Sequence, residues 1–200
     1  MQGSITRTRA SDPRPVRTRK TIYAAVEALS TTGTRDVTVA AIAREAGISR
    51  PAFYAQFSDM DDLAVSMLVE AFSEIGAADL AKRRADATDK RGAALQAARR
   101  LMFHIDGRRS FYRAALGWKI STRAREAVTE AYGRHVAASM DLAPGSDAIG
   151  QSREDLVKYI SGGTIALLMA WLLDTTPAPP EEMAERLLAV MPSWLVGEKV

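Results

Sequence analysis

Apolar residues recur at intervals of three and four along almost the whole chain, and no segment alternates apolar with polar residues. Ile22, Val26 and Leu29 open the series, and Val39, Ile42, Ala43 and Ala46 continue it. Leu63, Met67, Leu68, Ala71, Phe72 and Ile75 follow, then Leu95, Ala98, Met102 and Ile105. Val128, Ala131, Tyr132 and Val136 repeat the spacing, as do Leu156, Tyr159, Ile160, Leu167, Leu168, Trp171 and Leu172. A period near 3.6 gives each segment one apolar stripe, the pattern of a helix packed on others. The expected fold is all-α, with about nine helices and no strand. Two hundred residues suffice to bury a substantial core.

Local signals divide the series. Residues 1–15 are polar and Arg-rich and contain Pro13 and Pro15, so they read as a flexible basic arm ahead of a first helix starting near Val16. Gly33 is a stop signal, and Thr38 caps a second helix. Gly47 permits a sharp turn, Ser49 caps a third helix, and Pro51 falls in its first turn, where a missing N–H is harmless. Asp59 opens a fourth helix, with Asp61 and Asp62 beside it at the positive end of the helix dipole. Farther on, AKRRADATDKRG (81–92) reads as a loop or frayed helix end, DLAPGSDAIG as a loop and TTPAPP as a break. Glu181 to Leu195 then forms the last helix. The expected units are 16–62 and 63–200, preceded by the arm.

Several function classes find no support. There is no cysteine, so neither a disulfide framework nor a thiolate metal site is available, and two separate histidines, His104 and His135, make no metal cluster. No nucleophile–base pairing, paired carboxylate or Gly-rich phosphate loop stands out, so neither an enzyme nor a cofactor is expected, and a small all-α enzyme is the least favoured alternative. No apolar run approaches the ~18 residues of a membrane span, and the N-terminus lacks an apolar signal core, so a cytoplasmic location is expected.

Charge is uneven. The overall +3 divides into nine Lys/Arg against four acids in residues 1–58 and 18 against 20 in the remainder. A basic front on a nearly neutral body suits a polyanion at the front only, although a solvated basic tail has the same composition.

The stretch TVAAIAREAGISRPAFYAQF, 38–57, gives that front a shape. Two short helices at a glycine-bearing turn, braced by a longer first helix, form a helix-turn-helix. Phe53 and Phe57, four apart, share one face and anchor the second short helix, leaving Arg50, Tyr54 and Gln56 on the other. A helix of this kind fits the major groove, with its first residues at base edges. Arg50 has the donors to read a guanine edge or grip a phosphate, Gln56 offers donor and acceptor, and the Tyr54 hydroxyl reaches a phosphate. Thr38 and the free N–H groups of its helix can hold another.

The run VRTRKTIYAAVEALSTTG (16–33), followed by VTVAAIAREAGISRPAFYAQFSDMDDL (37–63), resembles the DNA-binding domain of the tetracycline-repressor (TetR) family. The shared marks are Ala-Gly-Ile-Ser at the turn, an aromatic-Tyr pair in the reading helix, then Phe and a capped fourth helix. The resemblance implies DNA contacts from Thr38, Ala40, Arg50, Pro51, Ala52, Tyr54 and Gln56; Ser49, Arg17 and Arg19 belong to the same expected surface. Family members often carry a phosphate-holding lysine where the fourth helix begins; this chain has SDMDDL, which leaves that role to backbone N–H groups or to Arg17, Arg19 and the arm. Small Ala40, Ala52 and Ala55 put specificity mostly on Arg50, Gln56 and DNA shape. The arm either enters a minor groove or is disordered.

The family likeness also implies a C-terminal helical domain for regulation and dimerisation, and the run 161–188 is similar to that region in part of the family. The two last long helices are the expected pairing face, through Tyr159, Gly162, Gly163, Leu167, Trp171 and Leu187. Gly162-Gly163 fits close helix approach across an interface; a kink or packing within the chain fits equally. Phe72, Met102, Phe103, Phe111, Tyr112, Trp118 and Tyr132 supply what an apolar ligand pocket needs, and equally what a helical core needs. The expected function is a homodimeric, ligand-responsive regulator, a repressor on a near-palindromic double-stranded DNA operator, with an apolar or aromatic effector. A DNA binder without sequence preference, of nucleoid type, is the alternative.

Overall fold

The computed structural model describes residues 13–31, 37–86, 88–116, 121–142 and 152–196. Among them are ten helices: α1 (Pro13–Thr31), α2 (Val39–Glu45), α3 (Arg50–Tyr54), α4 (Met60–Ala85), α5 (Lys90–Asp106), α6 (Arg109–Leu116), α7 (Thr122–Met140), α8 (Arg153–Leu173), α9 (Pro180–Ala189) and α10 (Ser193–Val196). The described residues hold no strand. The first three helices pack as one unit, whose buried Ile22, Val26, Ile42, Phe53 and Phe57 meet Leu63 and Met67 of α4. That long helix then runs into the body, where it packs on α5, α6 and α7; α8 lies on α7 and α9 on α5.

The boundaries differ from expectation where proline or a buried charge decides. α1 begins at Pro13, not near Val16, because both prolines fall in the first turn, where no N–H is required. The rest of the expected arm lies outside the described residues. α4 continues through all of AKRR to Ala85, since Arg83 is 7% exposed and is held inside by a partner one turn back. The last helix is two pieces, because Pro192 cannot continue α9; Leu195 and Val196 donate their N–H groups to the Pro192 carbonyl as α10 starts again.

The expectation that no segment could span a membrane needs correcting. α8, with 21 residues, is long and apolar enough by composition to cross one. In the fold Ile160, Ile165, Leu168, Trp171 and Leu172 of that helix are buried. Its end is stapled by α6: Arg109 donates to the Trp171 and Leu172 carbonyls at 2.8 and 3.2 Å, and its guanidinium lies 4.2 Å from the Trp171 ring centre. A cation at a helix C-terminus meets the negative end of the dipole.

Candidate functional site

The DNA-reading candidate is assembled from caps. Thr38 Oγ1 accepts from the Ala41 N–H at 3.2 Å and starts α2. At its far end Gly47 takes φ +64°, and the Ile48 and Gly47 N–H groups bond back to Ala43 and Arg44 carbonyls at 2.9 and 3.2 Å. This paired closure needs a left-handed residue, which glycine adopts without penalty. Two residues later Ser49 Oγ accepts from the Ala52 N–H at 3.3 Å and starts α3. The angle between the two short helices is thus set by residues 47–49.

α3 is anchored from one side. Phe53 is 0% exposed and Phe57 1%; their rings lie 5.9 Å apart, and Tyr23 of α1 stands 6.1 Å from Phe57. The neighbouring Tyr54 is 54% exposed and meets Phe53 edge-on at 5.5 Å. Thr38, Ser49, Arg50 and Pro51 are exposed, and Ala40 and Ala52 are half-buried. Arg17 and Arg19 are exposed on α1, with the Arg19 guanidinium 4.9 Å from the Phe57 ring centre. The first residues of α3 and this edge of α1 therefore project from the buried aromatic cluster.

Gln56 departs from the expected picture. α3 is five residues long and is capped by Ala55, so Gln56 stands in the following turn, half-buried, and not on the helix itself. The turn tightens there because the Gln56 and Phe57 N–H groups both reach the Phe53 carbonyl, at 2.9 and 3.0 Å. The acidic start of α4 is a self-contained cap: Asp59 Oδ1 accepts from the Asp62 N–H at 2.8 Å, while Asp62 Oδ2 accepts from the Ser58 N–H at 2.9 Å.

The expected pocket aromatics separate into groups. Phe72 and Tyr132, in T-shaped contact at 5.5 Å, line a narrow cavity among α4, α5, α7, α9 and α10 that is partly open to solvent. Tyr112 joins Phe72 in a smaller cavity toward α8. Met102 and Phe111 are fully buried packing residues, Phe103 is 50% exposed, and Trp118 lies outside the described residues. Phe103 faces outward because α5 turns its Leu101, Met102 and Ile105 face to the core.

The larger cavity has a polar wall that the spacing argument missed. Asp79 and Arg83, both on α4, pair at 2.8 Å through Oδ2 and Nε with side chains 1% and 6% exposed. Arg83 Nη1 also donates to the Leu195 carbonyl at 2.9 Å, tying α10 to α4. His135 Nε2 of α7 lies 3.5 Å from Asp79 Oδ2. The imidazole fits because Gly76 carries no side chain: a Cβ there would stand 2.7 Å from His135 Nδ1. Burial holds the His135 pKa below its ordinary value against the opposing pull of Asp79. The available signal was an Asp–Arg pair four apart in line with an apolar stripe. His104 shares a hydrogen bond with the Tyr112 hydroxyl at 2.8 Å; burial, aided by Arg108, lowers its pKa to about 4, and burial raises that of Tyr112.

The expected pairing residues also separate. Tyr159 is 80% exposed, Gly162 and Gly163 are exposed, and Leu167 is half-buried on α8. Trp171 and Leu187 are instead inside the subunit, at 4% and 3% exposure. Trp171 donates its indole N–H to the Ala178 carbonyl at 2.8 Å, and Leu187 belongs to the cavity wall. They are therefore withdrawn from the surface that a partner would meet.

A capped helix-turn-helix at the head of a helical body defines a DNA-binding transcriptional regulator. Residues 22–67 match the family model described as bacterial regulatory proteins, tetR family, and residues 93–193 match one described as a transcriptional regulator C-terminal region. The chain belongs to the TetR family. Among solved structures it is similar to the multidrug binding protein EbrR complexed with imidazole, at 19% identity and a TM-score of 0.47, covering 88% of this chain and 95% of that one. No curated protein matches it.

Proposed function

We propose that the protein is a homodimeric repressor that reads a near-palindromic operator through α3 and releases it when a small molecule occupies the body. The supporting observation is the division of one short helix: Phe53 is wholly buried while adjacent Tyr54 is 54% exposed, on the side where Arg50 and Pro51 also face outward. Arg50 reads a base edge or a phosphate; Tyr54, Thr38, Arg17 and Arg19 hold phosphates; Gln56 acts from the turn behind the helix. Ser49 sets the helix start, and Ala40 and Ala52 let the backbone approach.

A single five-residue helix makes too few contacts for useful affinity, so a pair is required. Tyr159, Gly162, Gly163 and Leu167 of α8 form the proposed pairing strip. Added Cβ atoms at Gly162 and Gly163 would meet nothing within 4 Å, so packing inside the subunit gives no reason for glycine there. A partner helix against that strip does. The effector occupies the cavity lined by Phe72 and Tyr132, and the protein works in the cytoplasm, where operator DNA is. An effector releases DNA only to the extent that it prefers the non-binding state.

Fluorescence anisotropy with a selected operator tests the reading. Affinity should fall steeply as salt rises, because phosphate contacts release counterions. Arg50→Ala should lower discrimination between operator and random duplex, whereas Tyr54→Phe should weaken both alike. A flat salt response contradicts the reading; equal affinity for selected and random DNA favours a sequence-indifferent binder.

A further inference from the structure

Three features of the body invite a function: the outer strip of α8, the open groove between α7 and α8, and the polar wall of the larger cavity. The first belongs to the pairing already proposed. The second is walled by charges of both signs, among them Arg125, Glu130, Arg153 and Glu154, and names no occupant. The third has chemistry that selects.

We infer that the cavity takes an uncharged, ring-sized apolar molecule ending in a hydrogen-bond donor, a phenol or a heteroaromatic N–H, delivered to Asp79 Oδ1. This rests on the reading that the cavity is the effector site. The carboxylate has two oxygens in different situations. Oδ2 accepts from Arg83 and faces His135, whereas Oδ1 is buried without a partner. Ser139 Oγ and His135 Nδ1, on the same cavity wall, are buried and unpartnered too. A buried acceptor left unmatched is unfavourable, so a ligand N–H or O–H there is worth more than on an exposed surface.

Charge excludes the other heads. Asp79 and Arg83 cancel, and burial keeps His135 neutral, so the wall has no net charge. An anionic ligand would place like charge against Asp79, and Arg83 is already committed to Asp79 and to the Leu195 carbonyl. A permanent cation would meet a carboxylate already compensated by a guanidinium and would bring a desolvation penalty with no unbalanced charge to offset it. The opposite wall is apolar: Phe72, Ala98, Leu101, Leu187 and Met191 present only carbon and sulfur to a ring.

Isothermal titration of the full chain, without DNA, tests the inference with four probes of one shape. 4-Methylphenol should bind about tenfold tighter than 4-methylanisole, which lacks the donor, and tighter than 4-methylbenzoate and 4-methylbenzylammonium. Asp79→Leu/Arg83→Met removes both charges together, a change that buried pairs often tolerate, and should bring the phenol and the anisole to equal affinity. Ala98→Leu should abolish binding of all four probes. Equal affinity for phenol and anisole, tighter binding of the ammonium, or a preference that survives the double substitution overturns the donor inference alone. Binding unaffected by Ala98→Leu, or no binding by any probe, overturns the cavity reading as well. Operator release by the phenol, read separately by anisotropy, reports on the regulatory reading without entering the binding result.

Discussion

Tyr23 Oη of α1 and Ser66 Oγ of α4 lie 2.7 Å apart, a hydrogen bond across the seam between the reading unit and the helix that enters the body. A second tie crosses nearby, where Arg108 approaches Glu27 of α1 at 3.0 Å. α4 carries Ser66 near its start and Asp79 and Arg83 toward its end, so the seam and the cavity wall share one rigid element. Tyr23→Phe should lower stability by about 1 kcal/mol, the usual net worth of one such bond, as measured by chemical denaturation. An unchanged midpoint would show that the pair contributes nothing to holding α1 on α4.

The two faces of α3 should respond oppositely to truncation. Phe53→Ala empties a fully buried site and should cost about 3–5 kcal/mol of stability. Arg50→Ala, on the exposed side, should leave the melting transition in place while reducing operator discrimination by about 1–3 kcal/mol. Loss of folding with Arg50→Ala would mean that Arg50 serves the fold.

Gly47 separates conformational from steric effects. Its φ of +64° disfavours any Cβ, yet a Cβ there would meet nothing within 4 Å. Gly47→Ala should therefore cost about 1–2 kcal/mol through the backbone alone. Gly47→Asn should be milder, because asparagine visits that conformation more readily. Equal losses for the two variants would contradict the assignment.

Acid should destabilise the protein through its histidines. His104 has a folded pKa of about 4 against an ordinary 6.5, and that of His135 is also lowered by burial. Between these values the unfolded chain binds the proton first. The contribution of a neutral His104 is thus complete above pH 6.5 and declines as pH falls toward 4, by at most about 3 kcal/mol. Denaturation of the native chain and of His104→Gln at pH 7 and pH 5 checks this: the gap between them should shift against the native chain at pH 5. A gap independent of pH would contradict the neutral, buried histidine.

Helical periodicity made most of the fold legible, because a stripe such as Leu63, Met67, Leu68, Ala71 and Phe72 has one way to be buried. The reading unit was legible for a further reason: Thr38, Gly47, Ser49 and Asp59 each act on the backbone within three or four residues of themselves. The cavity wall was not legible, since Asp79 and His135 are brought together only by the packing of α4 on α7 and by the side chain that Gly76 lacks. Tyr159 and Trp171 show the same limit. Both sit in one apolar helix, and tertiary packing, with Arg109 of α6 and the Ala178 carbonyl against Trp171, separates that enclosed residue from exposed Tyr159.

Selection of random duplexes on the purified full chain, followed by footprinting of the winners, tests the central claim most directly. Enrichment of a twofold-symmetric site is expected, with half-sites about 34 Å apart on one face of the helix, and its protection should be lost with Arg50→Ala. Recovery of no common sequence, or of a site indifferent to Arg50→Ala, would contradict the assignment of the exposed flank of α3 as the element that reads DNA.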